Sequence, residues 1–121
     1  MVTLKVVEYL DDEENEVLLE ICHGDVKLYA FSCPYTGNKN DTAEKVTLYA
    51  LFAHNIGPSL DYKLSYKTSD VSFDQHIYAK IVNKKERLVS VGDIDIVLDT
   101  SLDSEFPVGS IISFDVSRLD Y

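Results

Sequence analysis

The sequence predicts a small all-β barrel, and three observations carry that expectation. Apolar residues alternate with period two along most of the chain, turn signals recur every ten residues or so, and no long segment holds a helical period. With 121 residues the chain is expected to form one domain, 1–121, that buries a core without staples. Its 45% hydrophobic and 26% charged residues, with only 5 Gly and 3 Pro, exclude wholesale disorder and low-complexity architectures.

The elements follow in order. Val2 to Leu10 alternates as a strand, with Val2, Leu4, Val6 and Glu8 on one face, Thr3, Lys5, Val7 and Tyr9 on the other, and a bulge near Val6-Val7. Asp11 to Glu16 holds five carboxylates and Asn15, a composition that must turn through solvent. Glu16–Cys22 and Asp25–Ser32 then form a hairpin about His23-Gly24-Asp25, which Pro34 ends. Residues 36–41 contain almost nothing that packs and read as a loop. In Thr42 to Ala53 the alternation of Val46, Leu48, Ala50 and Phe52 favours a strand. A short helix within 42–54 is the alternative, from Asp41 and Glu44 as a capping pair, Val46, Tyr49, Ala50 and Ala53 at helical spacing, and Gly57-Pro58 as a stop.

Later strands are Tyr62–Lys67, His76–Val82, Arg87–Val91, Ile94–Leu98 and Ser110–Leu119, with Asn83-Lys84-Lys85-Glu86 turning the second into the third. The last alternates most cleanly, placing Ile112, Phe114 and Val116 opposite Ile111, Ser113, Asp115 and Ser117. Two stretches, Tyr29-Ala30-Phe31-Ser32-Cys33-Pro34-Tyr35 and Val108-Gly109-Ser110-Ile111-Ile112-Ser113-Phe114-Asp115-Val116-Ser117-Arg118-Leu119-Asp120, resemble a loose group of small uncharacterised bacterial β-barrel proteins. In that group a Cys-Pro-Tyr turn follows an early hairpin. The resemblance implies an OB-fold-like barrel with extra strands and supplies no catalytic residues. Short acidic proteins of this kind sometimes serve as immunity proteins in toxin systems.

Chemistry-bearing residues are plentiful but scattered. In a tight hairpin Cys22 and Cys33 lie about 20 Å apart along the ladder, at about 3.3 Å per residue, so no disulfide joins them within it and two buried, reduced thiols are expected. His23, His54 and His76 fall in separate segments without zinc spacing, and no Gly-x-Ser-x-Gly is present. Asp93 and Asp95 share a strand face about 7 Å apart, a spacing open to a hard cation, with Asp99, Asp103 and Glu105 nearby. The EF-hand order is missing, so solvated charge is the expectation. No catalytic site, metal or cofactor is expected.

Charge is the compositional outlier. Net charge is -10, from 11 basic and 21 acidic side chains. Residues 1–61 carry 4 basic and 11 acidic groups, residues 62–91 carry 6 and 3, and residues 92–121 carry 1 and 7. The expectation is an interaction protein, adaptor-like or immunity-like, that binds a basic protein through Tyr9, Asp11, Asp12, Glu13, Glu14, Glu16 and Tyr35. Glu8 and the Asp93–Glu105 region extend this acidic surface. The alternative is a module for single-stranded nucleic acid or oligosaccharide. Its nucleic-acid face would comprise Tyr62, Lys63, Tyr66, Lys67, Tyr78, Lys80, Lys84, Lys85 and Arg87, with Phe73 and His76 beside them. Against it, period two separates Tyr62, Leu64 and Tyr66, expected on the core, from Lys63 and Lys67 on the other face, and the net field repels phosphate. No apolar run reaches the roughly 18 residues of a membrane span, and Met1-Val2-Thr3-Leu4-Lys5 lacks the marks of a signal peptide. A cytoplasmic location is therefore expected.

Overall fold

A computed structural model describes residues 1–69 and 72–121, and among them it contains ten strands and no helix. The strands are β1 (Val2–Asp11), β2 (Glu16–His23), β3 (Val26–Ser32), β4 (Asn40–Ala43), β5 (Val46–Pro58), β6 (Tyr66–Lys67), β7 (Gln75–Asn83), β8 (Leu88–Val91), β9 (Ile94–Val97) and β10 (Ile111–Asp120). Five of them close a ring. β5 pairs β9 in parallel, β9 pairs β8, β8 pairs β7, β7 pairs β10, and β10 returns antiparallel to β5. Closure leaves those strands no open barrel edge. The expected small all-β barrel with extra strands is thus the fold.

Outside the ring, β1, β2 and β3 form an antiparallel meander, β4 pairs the start of β1, and β6 pairs the start of β7. The meander meets the ring where Phe31 of β3 bridges Asp120 of β10 and the Tyr121 N–H donates to the Phe31 carbonyl at 2.7 Å. Beside this bridge a side chain extends the ladder. Gln75, buried, donates from Nε2 to the Tyr29 carbonyl and accepts the Tyr29 N–H at Oε1, both at 2.9 Å. Buried apolar residues of meander and barrel form one continuous cluster, with Leu19 and Ile21 from one side and Ile77, Ile112 and Phe114 from the other.

The segment left between strand and helix is strand. Val46, Leu48 and Ala50 point inward, and Val46–Tyr49 pair Ile94–Val97 in parallel, which rewards period two and not 3.6. Phe52, expected inward by that alternation, is instead 64% exposed, and Ala53 takes the inward position. The cause is a phase slip at Phe52, whose φ of 56° lies in the left-handed region. Asp99 holds the slip by accepting the N–H groups of Phe52 at 2.6 Å and Ala53 at 3.0 Å. Burial pushes the Asp99 carboxyl up, but these backbone donors outweigh it and keep it below the ordinary value.

Three further expectations are corrected. Residues Asn40 and Asp41, expected in a loop, begin β4 because β1 offers them an unpaired edge over Val2–Lys5. The thiols are free but not buried: Cys22 is partly exposed on β2, and Cys33 lies exposed just past the end of β3. Of Tyr62–Lys67 only Tyr66–Lys67 pairs, and Tyr62, Leu64 and Tyr66 are each about half exposed rather than packed on the core. Five strands already close the ring, so the barrel interior has no place left for that segment.

Candidate partner-binding site

The acidic surface is the free end of the β1–β2 hairpin. Its turn closes locally, with Asp11 Oδ1 accepting the N–H groups of Glu13 at 3.0 Å and Glu14 at 3.4 Å and with Asn15 at a φ of 56°. Such turn chemistry is what Asp and Asn supply. β4 covers β1 only as far as Lys5, and from Val7 to Asp11 every residue of β1 is exposed. The pairing with β2 slips between Val6 and Glu8 and again between Tyr9 and Asp11, which confirms the bulge expected near Val6-Val7 and adds another. Bulges and charge are devices that keep such an edge from pairing strand to strand.

On this tip Asp11, Asp12, Glu13 and Glu14 are exposed, Glu16 is partly so, and Tyr9 is 55% exposed beside Leu10 and Val7. Among the described residues none of the five carboxylates lies in an ion pair, although carboxylates elsewhere do. The tip therefore presents a run of carboxylates outside any ion pair, directly after an exposed ring. Cys33 sits against it, its thiol donating to the Glu14 carbonyl at 3.7 Å. Desolvation, with Glu16, Glu14 and Asp11 around it, pushes that thiol up and keeps it protonated. Donor atoms of Glu14, Glu16 and Cys33 lie within 4.8 Å of one another at this end of the hairpin.

Tyr35 does not belong to the exposed surface, contrary to expectation. Its N–H donates to the Asn15 carbonyl at 2.9 Å, the Asn15 side-chain amide donates back to the Tyr35 carbonyl, and its hydroxyl donates to the Asn38 carbonyl at 2.6 Å. These bonds bury the ring and tie the segment after β3 to the acidic turn. A cavity of about 260 Å³ opens beside it.

The basic and aromatic stretch is only partly brought together. Tyr66 and Tyr78 flank His76, with ring centroids 5.3 Å and 5.0 Å from the imidazole. Lys67 lies over Tyr29 at 5.2 Å and Phe73 at 5.5 Å, and Lys84 donates to the Ser104 carbonyl at 2.8 Å. Tyr62 turns away toward Gly92, whose backbone hydrogen-bonds it, while burial pushes its hydroxyl up. Lys63, Lys80 and Lys85 are exposed, and Arg87 sits in the turn before β8 at a φ of 55°. Asp93 and Asp95 do not converge on one ion. Asp93 lies 3.6 Å from the terminal amine and 3.5 Å from His23 Nδ1, whereas buried Asp95 pairs Lys45 at 2.9 Å.

Sequence reasoning missed a row that crosses four strands. Register places Tyr66 of β6 opposite His76 of β7, His76 opposite Asp115 of β10, and Asp115 opposite His54 of β5. Asp115 accepts from Asn55 Nδ2 at 2.9 Å and from His76 Nδ1 at 2.7 Å. The Asn55 amide, opposed by burial and helped by His76, holds its carboxyl below the ordinary value. Because the folded value is depressed, the stability that Asp115 contributes is present above the unfolded value of about 3.9 and is lost as pH falls through the folded one. Asp115→Asn should therefore leave a shallower acid limb in urea midpoints measured between pH 6 and 2. An identical limb in the variant would contradict the ionised assignment.

No family model, curated protein or solved structure matches the chain. Among the described residues no helix is long and apolar enough to cross a membrane.

Proposed function

We propose that the chain is a non-catalytic binding protein whose β1–β2 tip docks on the basic surface of a protein partner, as an adaptor or immunity protein would. One observation carries this reading: five neighbouring carboxylates without a cationic partner among the described residues follow directly on the exposed Tyr9 and Leu10. Unpaired charge of one sign steers a complementary surface into encounter, and an exposed Tyr supplies contact area once there.

The test is a pull-down from the native host at low salt, with and without nuclease, followed by association kinetics with the recovered protein. The partner should be basic, survive nuclease and elute with salt. A chain carrying Asp11→Asn, Asp12→Asn, Glu13→Gln and Glu14→Gln should associate about tenfold more slowly or worse at low salt, the difference closing as salt rises. An unchanged on-rate would sink the proposal. The meeting of Tyr66, His76 and Tyr78 favours a second reading, single-stranded nucleic acid stacked on the barrel face. Asp115 and the net charge of -10 work against it. Salt-dependent binding of a labelled oligothymidine, lost in Tyr66→Ala, would put that face first.

A further inference from the structure

Behind the acidic tip, the cavity of about 260 Å³ lies between the segment after β3 and the β1–β4 pair. Its lining includes the hydroxyl-bearing residues Ser32, Tyr35, Thr36, Thr42 and Tyr121 and the acidic Asp41, and among the described residues no Lys, Arg or His lines it. Hydroxyls can accept as well as donate, and an ionised carboxylate only accepts. Asp41 uses one oxygen on the Thr42 N–H at 3.0 Å and the other on the Asn38 N–H at 3.4 Å, which leaves lone pairs on both. The guest that such a lining wants is a donor with positive charge. The tip points the same way, because Asn15 of the acidic turn bonds both the N–H and the carbonyl of Tyr35 in the cavity wall. Leu4 and Ala43 add an apolar surface on which a carbon stem can lie.

We propose that this cavity receives a lysine or arginine side chain of the basic partner, with Asp41 as its counter-charge. The inference rests on the partner reading above and makes the cavity its anchor: the tip steers, and the pocket holds. Anchors of interfaces sit in pockets ringed by contacts that exclude water. Burial and the neighbouring Asp41 push the Tyr35 hydroxyl up, so the cavity wall brings no second negative charge beside Asp41.

The experiment is a titration of the isotope-labelled full chain, followed by its amide resonances. The probes are N-acetyl-lysine methylamide, N-acetyl-arginine methylamide and, as the neutral control, N-acetyl-norleucine methylamide. The cationic probes should shift Thr36, Gly37, Asp41 and Thr42 to saturation and the neutral one should not; a preference between lysine and arginine names the side chain. Asp41→Asn should weaken binding about tenfold, the worth of a hydrogen bond to a charged group. Thr36→Trp, at an exposed lining position, should block the cavity with the urea midpoint unchanged, and so protects the test from a folding defect at Asp41. Equal shifts by the neutral probe, or undiminished binding in both variants, would overturn the proposal. The tip variant should still bind the probes within about twofold, because a single charge is steered only weakly. Failure here with a slowed tip variant leaves the partner reading standing, whereas an unchanged partner on-rate removes that reading whatever the probes do.

Discussion

Phe114→Ala should destabilise the chain by about 3–5 kcal/mol, the range for deleting a buried aromatic side chain. Phe114 is completely buried on β10, the strand that pairs β5 and β7 and bridges β3. A cavity there cannot collapse easily, since moving β10 inward strains two ladders of a closed ring at once. Tyr49→Ala, at a 54% exposed position on the outer face of β5, should stay within about 0.5 kcal/mol of the parent. Urea unfolding followed by far-ultraviolet circular dichroism gives both values. A loss below about 1 kcal/mol at Phe114 would mean that the ring is not packed around it.

The same strand shows what local pattern can disclose. Ile112, Phe114 and Val116 alternate with polar residues in the sequence and are all completely buried in the fold, because a strand packed on one face needs nothing beyond period two. Phe52 shows the limit. Its outward turn depends on the Asp99 carboxylate, 47 residues away, which satisfies the two amide groups that the slip exposes. No window around Phe52 contains that information. The segment 62–67 fails for a different reason. It alternates well enough for a strand, but barrel closure is a property of the whole ring, and the ring closes without it.

The candidate surfaces divide along the same line. The acidic tip was legible because its charges are consecutive, and a run of carboxylates has to face water wherever the chain takes it. Tyr35 was not, since its burial follows from bonds to Asn15 and Asn38 that only the folded turn creates. The row of Tyr66, His76, Asp115 and His54 needed the registers of three strand pairings, each of which a one-residue slip would undo. The cavity is further still from sequence, with walls drawn from residue 4 to residue 121.

Gln75→Leu should cost about 2–4 kcal/mol although it nearly preserves volume, because it leaves the N–H and the carbonyl of Tyr29 without their partner. In the fold that side-chain amide stands where a strand would otherwise pair β3, next to its bridge to β10 at Phe31. It is therefore a clamp between the meander, which carries the tip, and the barrel, which carries most of the aromatic row. Hydrogen exchange separates the clamp from ordinary core packing. In Gln75→Leu the Tyr29 amide should exchange far faster, while Leu19 and Ile21, held within the β1–β2 and β2–β3 pairings, should slow down or speed up only as global stability does. Unchanged protection at Tyr29 would mean that Gln75 is no clamp and that the Phe31 bridge and apolar contact hold the meander to the barrel. If the clamp acts as drawn, the variant should also keep its tip-dependent on-rate, since the charges that steer a partner lie on the meander and do not depend on how firmly it is joined to the barrel.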